Sequence, residues 1–240
     1  MAAVRNLRYV PSAILVLAAT AVLAACSGGP PTVSAQTTSA HIVTAPRGGR
    51  QHAELDVLSG ATSVTVATAP LGGELLRVST PAGAGVKPDL VVTGTVQLYL
   101  DSTGVSGPAA VAVTLNSAVD WRLAFAGGST QTSVFLGRGK LRGADFAAGS
   151  SQITMRLPRP QGTVTIVLAG GASQVRLATP RGVPARLQLD GGASTATLGG
   201  RTYTGIAGGT VLAAPGWAAA ASRYNIEAPA GMATISVGTW

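Results

Sequence analysis

The chain has 240 residues, a net charge of +8 and an almost half hydrophobic composition, with 4% aromatic and 11% charged residues. That length allows one or two domains. The low charge with 32 glycines excludes an intrinsically disordered chain and points to an all-β domain with many tight turns. A helical protein of this size would carry more Glu, Lys and Leu at 3.6 spacing.

Taken from its start, the chain opens on a targeting pattern. Arg5 and Arg8 supply a positive start, and residues 13–25 form an apolar run broken only by Thr20. A run of about 13 residues suits the hydrophobic region of a signal peptide and is short of the roughly 20 needed to span a membrane. The run ends in Leu23-Ala24-Ala25-Cys26, followed by Ser27-Gly28-Gly29. These residues resemble the bacterial lipobox. The resemblance implies that the Cys26 thiol is diacylated, with chains such as palmitate, that the bond before it is cut, and that the new amino end is open to a further acyl group. Cys26 is the single cysteine, so an internal disulfide is excluded and the thiol is read as an acyl acceptor rather than a nucleophile. Two or three acyl chains anchor a protein stably where one does not, so the expected location is the extracytoplasmic face of the cell membrane.

Residues 27–51 turn to Ser, Thr, Pro, Gly and Ala, including Pro30-Pro31 and Gln36-Thr37-Thr38-Ser39. This composition predicts a flexible tether with a random-coil span of about 25 to 30 Å. The expected organisation is a lipoprotein signal peptide over 1–25, a lipidated cysteine and tether over 26–52, and one β domain over 53–240.

Strand patterns begin at Leu55-Asp56-Val57-Leu58 and continue through 63–68, 74–80 and 90–100, separated by Pro70, Pro81 and Pro88 where turns are needed. Residues 103–108 read as a loop, 110–115 as a strand and 116–120 as a turn. Four matched stretches follow: 121–136, 142–158, 164–180 and 185–198. Each runs strand, Gly-rich corner, strand. Aligned on Gly128, Gly149, Gly171 and Gly192, they put Phe125, Phe146, Leu168 and Leu189 in one column, at spacings of 21, 22 and 21. Leu123, Ala144, Ile166 and Leu187 form a second column, and Ile153, Val175 and Ala196 a third after the corner. Polar residues alternate with them at period two, the mark of strands buried on one face.

A constant period near 21 predicts a β-solenoid-like stack, in which each coil buries its apolar columns only against its neighbours. Glycine at the corners permits close backbone approach. One extra residue between Gly128 and Val134 predicts a bulge there. Gly60-Ala61-Thr62-Ser63-Val64 matches Gly171-Ala172-Ser173-Gln174-Val175, and Gly231-Met232-Ala233-Thr234-Ile235 is a third copy. Residues 201–209 read as a hairpin or loop, 217–223 as a short turn feeding a strand, and Trp217 and Trp240 as caps for the stack.

The residues offer little for catalysis. His41 and His52 are the only histidines and fall in or beside the tether, which argues against a Ser-His-Asp triad. Too few nitrogen and sulfur ligands exist for zinc. Of nine acids, only Asp145 and Asp190 lie near the corners, two coils and roughly 10 Å apart at about 4.8 Å per strand, and they read as solvated turn residues. Gly137-Arg138-Gly139-Lys140-Leu141-Arg142-Gly143 looks like a phosphate-cradling loop, but such loops lead into a helix and a strand follows here. Removing Arg5 and Arg8 leaves 15 bases against 9 acids, a charge of +6. With few aromatics to stack on bases, nucleic acid is not expected as a partner. A row of Arg122, Arg186 and Arg176 is the candidate surface for anionic lipid headgroups or wall polymers. No catalytic residue, metal or cofactor is expected.

Trp121-Arg122-Leu123-Ala124-Phe125-Ala126-Gly127-Gly128, Met155-Arg156-Leu157-Pro158, Gly170-Gly171-Ala172-Ser173-Gln174-Val175 and Gly182-Val183-Pro184-Ala185 together resemble the toastrack adhesin-like domain. This domain is the C-terminal part of LiaF-type cell-envelope proteins. The resemblance covers about residues 57–240 and implies a non-enzymatic β-solenoid-like domain that binds partners in the envelope. LiaF-type proteins also carry membrane helices and restrain a sensor kinase; this chain carries no such helix pattern after its signal. The expected function is therefore a lipid-anchored binding or scaffolding module. The alternative is a lipid or glycolipid carrier, which would need helices packed on a curved sheet and an apolar cavity of several hundred Å³.

Overall fold

A computed structural model describes residues 40–240. The expected signal peptide over 1–25, with Leu23, Ala24 and Ala25, and the expected lipidation site Cys26 lie outside the described residues. Within them the chain is all-β, with nineteen strands in two mixed sheets and no helix.

In chain order the strands are β1 (Ile42–Pro46), β2 (His52–Val57), β3 (Ala61–Ala69), β4 (Glu74–Ser79), β5 (Val86–Val92), β6 (Val96–Ser102), β7 (Ala110–Asn116), β8 (Asp120–Phe125), β9 (Ser129–Phe135) and β10 (Lys140–Phe146). They continue as β11 (Ser150–Arg156), β12 (Thr163–Leu168), β13 (Ala172–Thr179), β14 (Ala185–Leu189), β15 (Ala193–Leu198), β16 (Arg201–Ile206), β17 (Thr210–Ala213), β18 (Arg223–Glu227) and β19 (Met232–Thr239).

Most of these strands belong to coils, each made of one strand in the nine-stranded sheet, a corner and one strand in the ten-stranded sheet. The sheet orders place seven coils in the sequence β6–β7, β2–β3, β8–β9, β10–β11, β12–β13, β18–β19, β14–β15, all paired in parallel. The stack and its repeat are those the sequence predicts. Across β9, β11 and β13 the register pairs Phe135 with Arg156 and Arg156 with Ala178, offsets of 21 and 22.

The order of the coils departs from the order of the chain at both ends. The first coil, β2–β3, lies inside the second, and the last, β18–β19, is inserted between β12–β13 and β14–β15. Leu187 therefore meets Ile226 rather than Ile166, and Ala196 meets Ile235 rather than Val175. Tyr224 secures the insertion: its buried hydroxyl donates to the Pro158 carbonyl at 2.7 Å, and burial raises its pKa well above the ordinary value.

Both ends are closed by antiparallel strands, β4 with β1 and β5 at one end, β16 and β17 at the other. Trp217 and Trp240 do not cap the stack. They sit on its flank, under Arg186 and Arg223 and under Arg156 respectively. The tether expected through residue 52 stops short of that point, because β1 pairs with β4 and buries Ala45. The stretch 90–100, expected as one strand, is the turn and flanks of the β5–β6 hairpin. Pro88 is tolerated in β5 because this is an edge strand with no ladder bond to lose on its outer side.

The bulge lies one strand away from its expected place. The β9–β11 register has no shift and puts Thr132, 2% exposed, in the column of Ile153. Its hydroxyl is satisfied by Ser129 Oγ at 2.6 Å, so a polar residue fills an apolar position without an orphaned group. The register shift is instead in β10, where Arg142 is the extra residue between Leu141 and Gly143.

The columns meet in one core between the sheets. Phe125 and Phe146 stack with ring centroids 4.6 Å apart and planes within 10°, an arrangement that adds to area burial. The corners limit how closely coils approach. A Cβ on Gly170 would overlap the backbone of Ala148, as one on Gly127 would overlap Ser59 and one on Gly191 would overlap Ala230. Gly170→Ala should therefore cost about 1–3 kcal/mol through overpacking, while Gly73→Ala, with open space around it, should change little. Urea unfolding reads the difference as a lower midpoint; equal midpoints would mean that the corners do not touch.

Candidate functional site

The three arginines proposed from sequence do not form a row. Arg122 lies on β8 of the nine-stranded sheet, where Nη2 is 2.6 Å from Asp145 Oδ2 and Nε is 3.5 Å from Glu54 Oε1. Gly143, after the bulge, leaves the space its guanidinium crosses. Arg186 is four strands away on β14, donating to Asn225 Oδ1 at 2.8 Å with its guanidinium over Trp217. Arg176, on β13, belongs to the other sheet. Two of the three charges are engaged locally, and the third faces elsewhere.

The acids are not paired for catalysis either. β12 and β18 lie between Asp145 on β10 and Asp190 after β14, so three strand steps, about 14 Å, separate them rather than two. Asp145 holds Arg122, and Asp190 accepts from Gln188 Nε2 at 3.2 and 3.3 Å. His52 starts β2, with Nδ1 3.3 Å from Asp120 Oδ2, and Lys140 Nζ is 3.7 Å from Asp120 Oδ1. Among the described residues no group of three or more His, Cys, Asp or Glu could hold a metal, and no helix is long and apolar enough to cross a membrane.

What sequence inspection missed is how charge is distributed over the stack. Seven of the nine acids lie on strands of the nine-stranded sheet and an eighth, Asp190, just after β14; Glu74 alone lies on the ten-stranded sheet, held by Arg77 at 2.9 Å. The glycine corners at 58–60, 126–128, 147–149, 169–171, 190–192 and 228–231 hold no Arg or Lys. The opposite turns hold Arg138, Arg159 and Arg181, all exposed and, among the described residues, without a carboxylate partner. The signal was present in the 21-residue period, but it fell between the strands used to define the repeat.

Concavities flank this edge. On one side a pocket of about 260 Å³ is lined by Asp120, Lys140, Arg142, Arg159, Gln161 and Thr163. On the other, grooves of about 590 and 480 Å³ meet at Arg156 and Trp240; the first includes Arg176 and the second Phe135 and Arg138. Trp240 is fixed there by Nε1 donating to the Leu157 carbonyl at 3.1 Å and by the Arg156 guanidinium 3.9 Å above its ring.

Fold and edge together define an all-β domain of stacked coils. A proposed cell adhesion protein from Clostridium sporogenes has this fold, with a TM-score of 0.61 and 13% identity over 84% of this chain and 99% of that one. A proposed adhesin from Bacteroides fragilis aligns over 82% of this chain and 96% of that one at 12% identity, but its TM-score of 0.23 carries no argument. No protein-family model matches the chain, and no curated protein matches it.

Localised charge has a direct readout. Arg138→Gln and Arg122→Gln each remove one positive charge, but only Arg138 is unpaired. Arg138→Gln should elute from a cation exchanger at distinctly lower salt than the parent, and Arg122→Gln should shift much less. Equal shifts would mean that the ion pairs of Arg122 do not persist in solution.

Proposed function

We propose that the protein is an extracytoplasmic binding module of the cell envelope, anchored by lipid at Cys26 and engaging an anionic envelope polymer or envelope protein without catalysis. The observation that carries this reading is the segregation of charge, which leaves one edge of a rigid stack lined with unpaired arginines beside open grooves. Such an edge concentrates and orients an anionic partner. The description of the Clostridium sporogenes protein as a proposed cell adhesion protein supports the reading, as does the lipobox pattern. The domain corresponds in this reading to the adhesin-like part of LiaF-type proteins; among the described residues there is no helix long and apolar enough to cross a membrane.

The carrier alternative needs space for acyl chains between the sheets. Leu55, Leu98, Leu123, Ile166, Leu187 and Ile226 fill that space, each 0% exposed, whereas the groove of about 590 Å³, which takes Met155, Leu177 and Val237 from the core, also carries Arg156 and Arg176.

Cys26→Ser should move the protein from the membrane fraction to the soluble one. The soluble variant should still sediment with isolated envelopes at low salt and be released as salt rises. Extraction that still requires detergent contradicts the anchor; failure to sediment at low salt contradicts the binding role.

A further inference from the structure

Arg138, Arg159 and Arg181 occupy one equivalent position in three successive turns. The register pairs Phe135, Arg156 and Ala178 across β9, β11 and β13, and each arginine stands three residues after its member of that set. The contact of Arg159 Nη2 with the Arg181 carbonyl at 3.4 Å shows that the last two turns are adjacent. The turns follow one another along the edge at about the 4.8 Å spacing of the coils, with Arg138 bordering the groove that holds Trp240 and Arg159 the pocket that holds Lys140. Like charges at neighbouring positions repel and weaken the stack. Here no carboxylate among the described residues relieves them, although the opposite corners, built from the same repeat, carry no base at all.

Beside Arg159, the pocket with Lys140, Arg142, Gln161 and Thr163 gathers further donors. The β10 bulge supplies Arg142 by adding it as the unpaired residue, a device that re-aims a side chain. Asp120 also lines this pocket, 3.7 Å from Lys140, so Arg142 and Arg159, with an amide and a hydroxyl, are the donors left for an anion with several oxygens in tetrahedral arrangement, since guanidinium forks pair with phosphate oxygens two at a time. The turns themselves, residues 136–139, 157–162 and 180–184, contain no aromatic side chain on which bases could stack.

Resting on the binding reading above, we propose that this edge binds a linear phosphate-bearing polymer, laid along the stack so that successive phosphates meet Arg138, Arg159 and Arg181 and one of them enters the Lys140–Arg142–Arg159 pocket. A polymer gains over a single ion because, once one phosphate is held, the next is presented at high effective concentration.

Long-chain inorganic polyphosphate, orthophosphate and polygalacturonate serve as probes on the full chain carrying Cys26→Ser. Polyphosphate should bind far more tightly per phosphate than orthophosphate, with affinity falling as salt rises through counterion release. Arg138→Gln, Arg159→Gln and Arg181→Gln combined should weaken polyphosphate binding by at least about tenfold, or 1.4 kcal/mol, with a melting temperature no lower than the parent's, because all three side chains are exposed and their mutual repulsion is removed. Arg77→Gln, whose charge is held by Glu74, should leave binding as it was. Unchanged affinity in the triple variant, orthophosphate binding as well per phosphate as the polymer, or polygalacturonate binding equally would each overturn the proposal. If the protein sediments with envelopes but ignores polyphosphate, this inference fails and the binding role stands; if it does neither, the binding role itself fails.

Discussion

The closeness of backbone to backbone at the glycine corners is the constraint on which the structure depends. Coils pair at the strand spacing, and the chain must turn from one sheet to the other without a side chain between one corner and the next. At Gly127, Gly170 and Gly191 a Cβ would lie in the neighbouring backbone. With the corners closed, the ladder bonds run on round the bend: Ala61 N reaches the Gly128 carbonyl at 3.1 Å, and Ser150 N that of Gly171 at 3.2 Å. The same closeness keeps Phe125 on Phe146 and lets small columns such as Ala144 and Ala196 remain fully buried.

A stack of parallel coils exposes an unpaired strand of each sheet at both ends, a template for unwanted association. Here each end is covered by antiparallel strands, and the first and last coils are sewn inside their neighbours. The terminal coil thus pairs on both sides: β19 lies between β13 and β15, with Thr234 opposite both Gln174 and Thr195. Fraying from the last coil requires separating two parallel ladders rather than one.

Much of the repeat was legible because burial imposes a period on the chain. The columns through Phe125 and Phe146 and through Leu123 and Ala144 are where alternation puts them, and Gly231 begins a true copy of the unit. The order of the coils was not legible, because Val175, Ile235 and Ala196 present interchangeable small apolar faces and nothing in their identities ranks them. Thr132 misled the alignment because a hydroxyl stands in an apolar column and is satisfied locally by Ser129, which displaced the expected bulge from β10 to β9. β1 escaped notice because five residues with a single fully buried side chain, Ala45, leave no periodic trace. For the site, Arg122 and Arg186 shared a polar column in sequence, but pairing with Asp145, Glu54 and Asn225 is a fact of three dimensions.

The fold rests most heavily on coils that cover one another, with the last of them inside the stack. Disulfide trapping between Cys substitutions tests this directly in a Cys26→Ser background. Thr234→Cys should cross-link with Gln174→Cys and, separately, with Thr195→Cys, since partners on neighbouring strands lie within the Cα distance that a disulfide spans. Gln174→Cys with Thr195→Cys should not cross-link, being two strands and about 10 Å apart. Efficient trapping of 174 with 195, and none of either with 234, would contradict it.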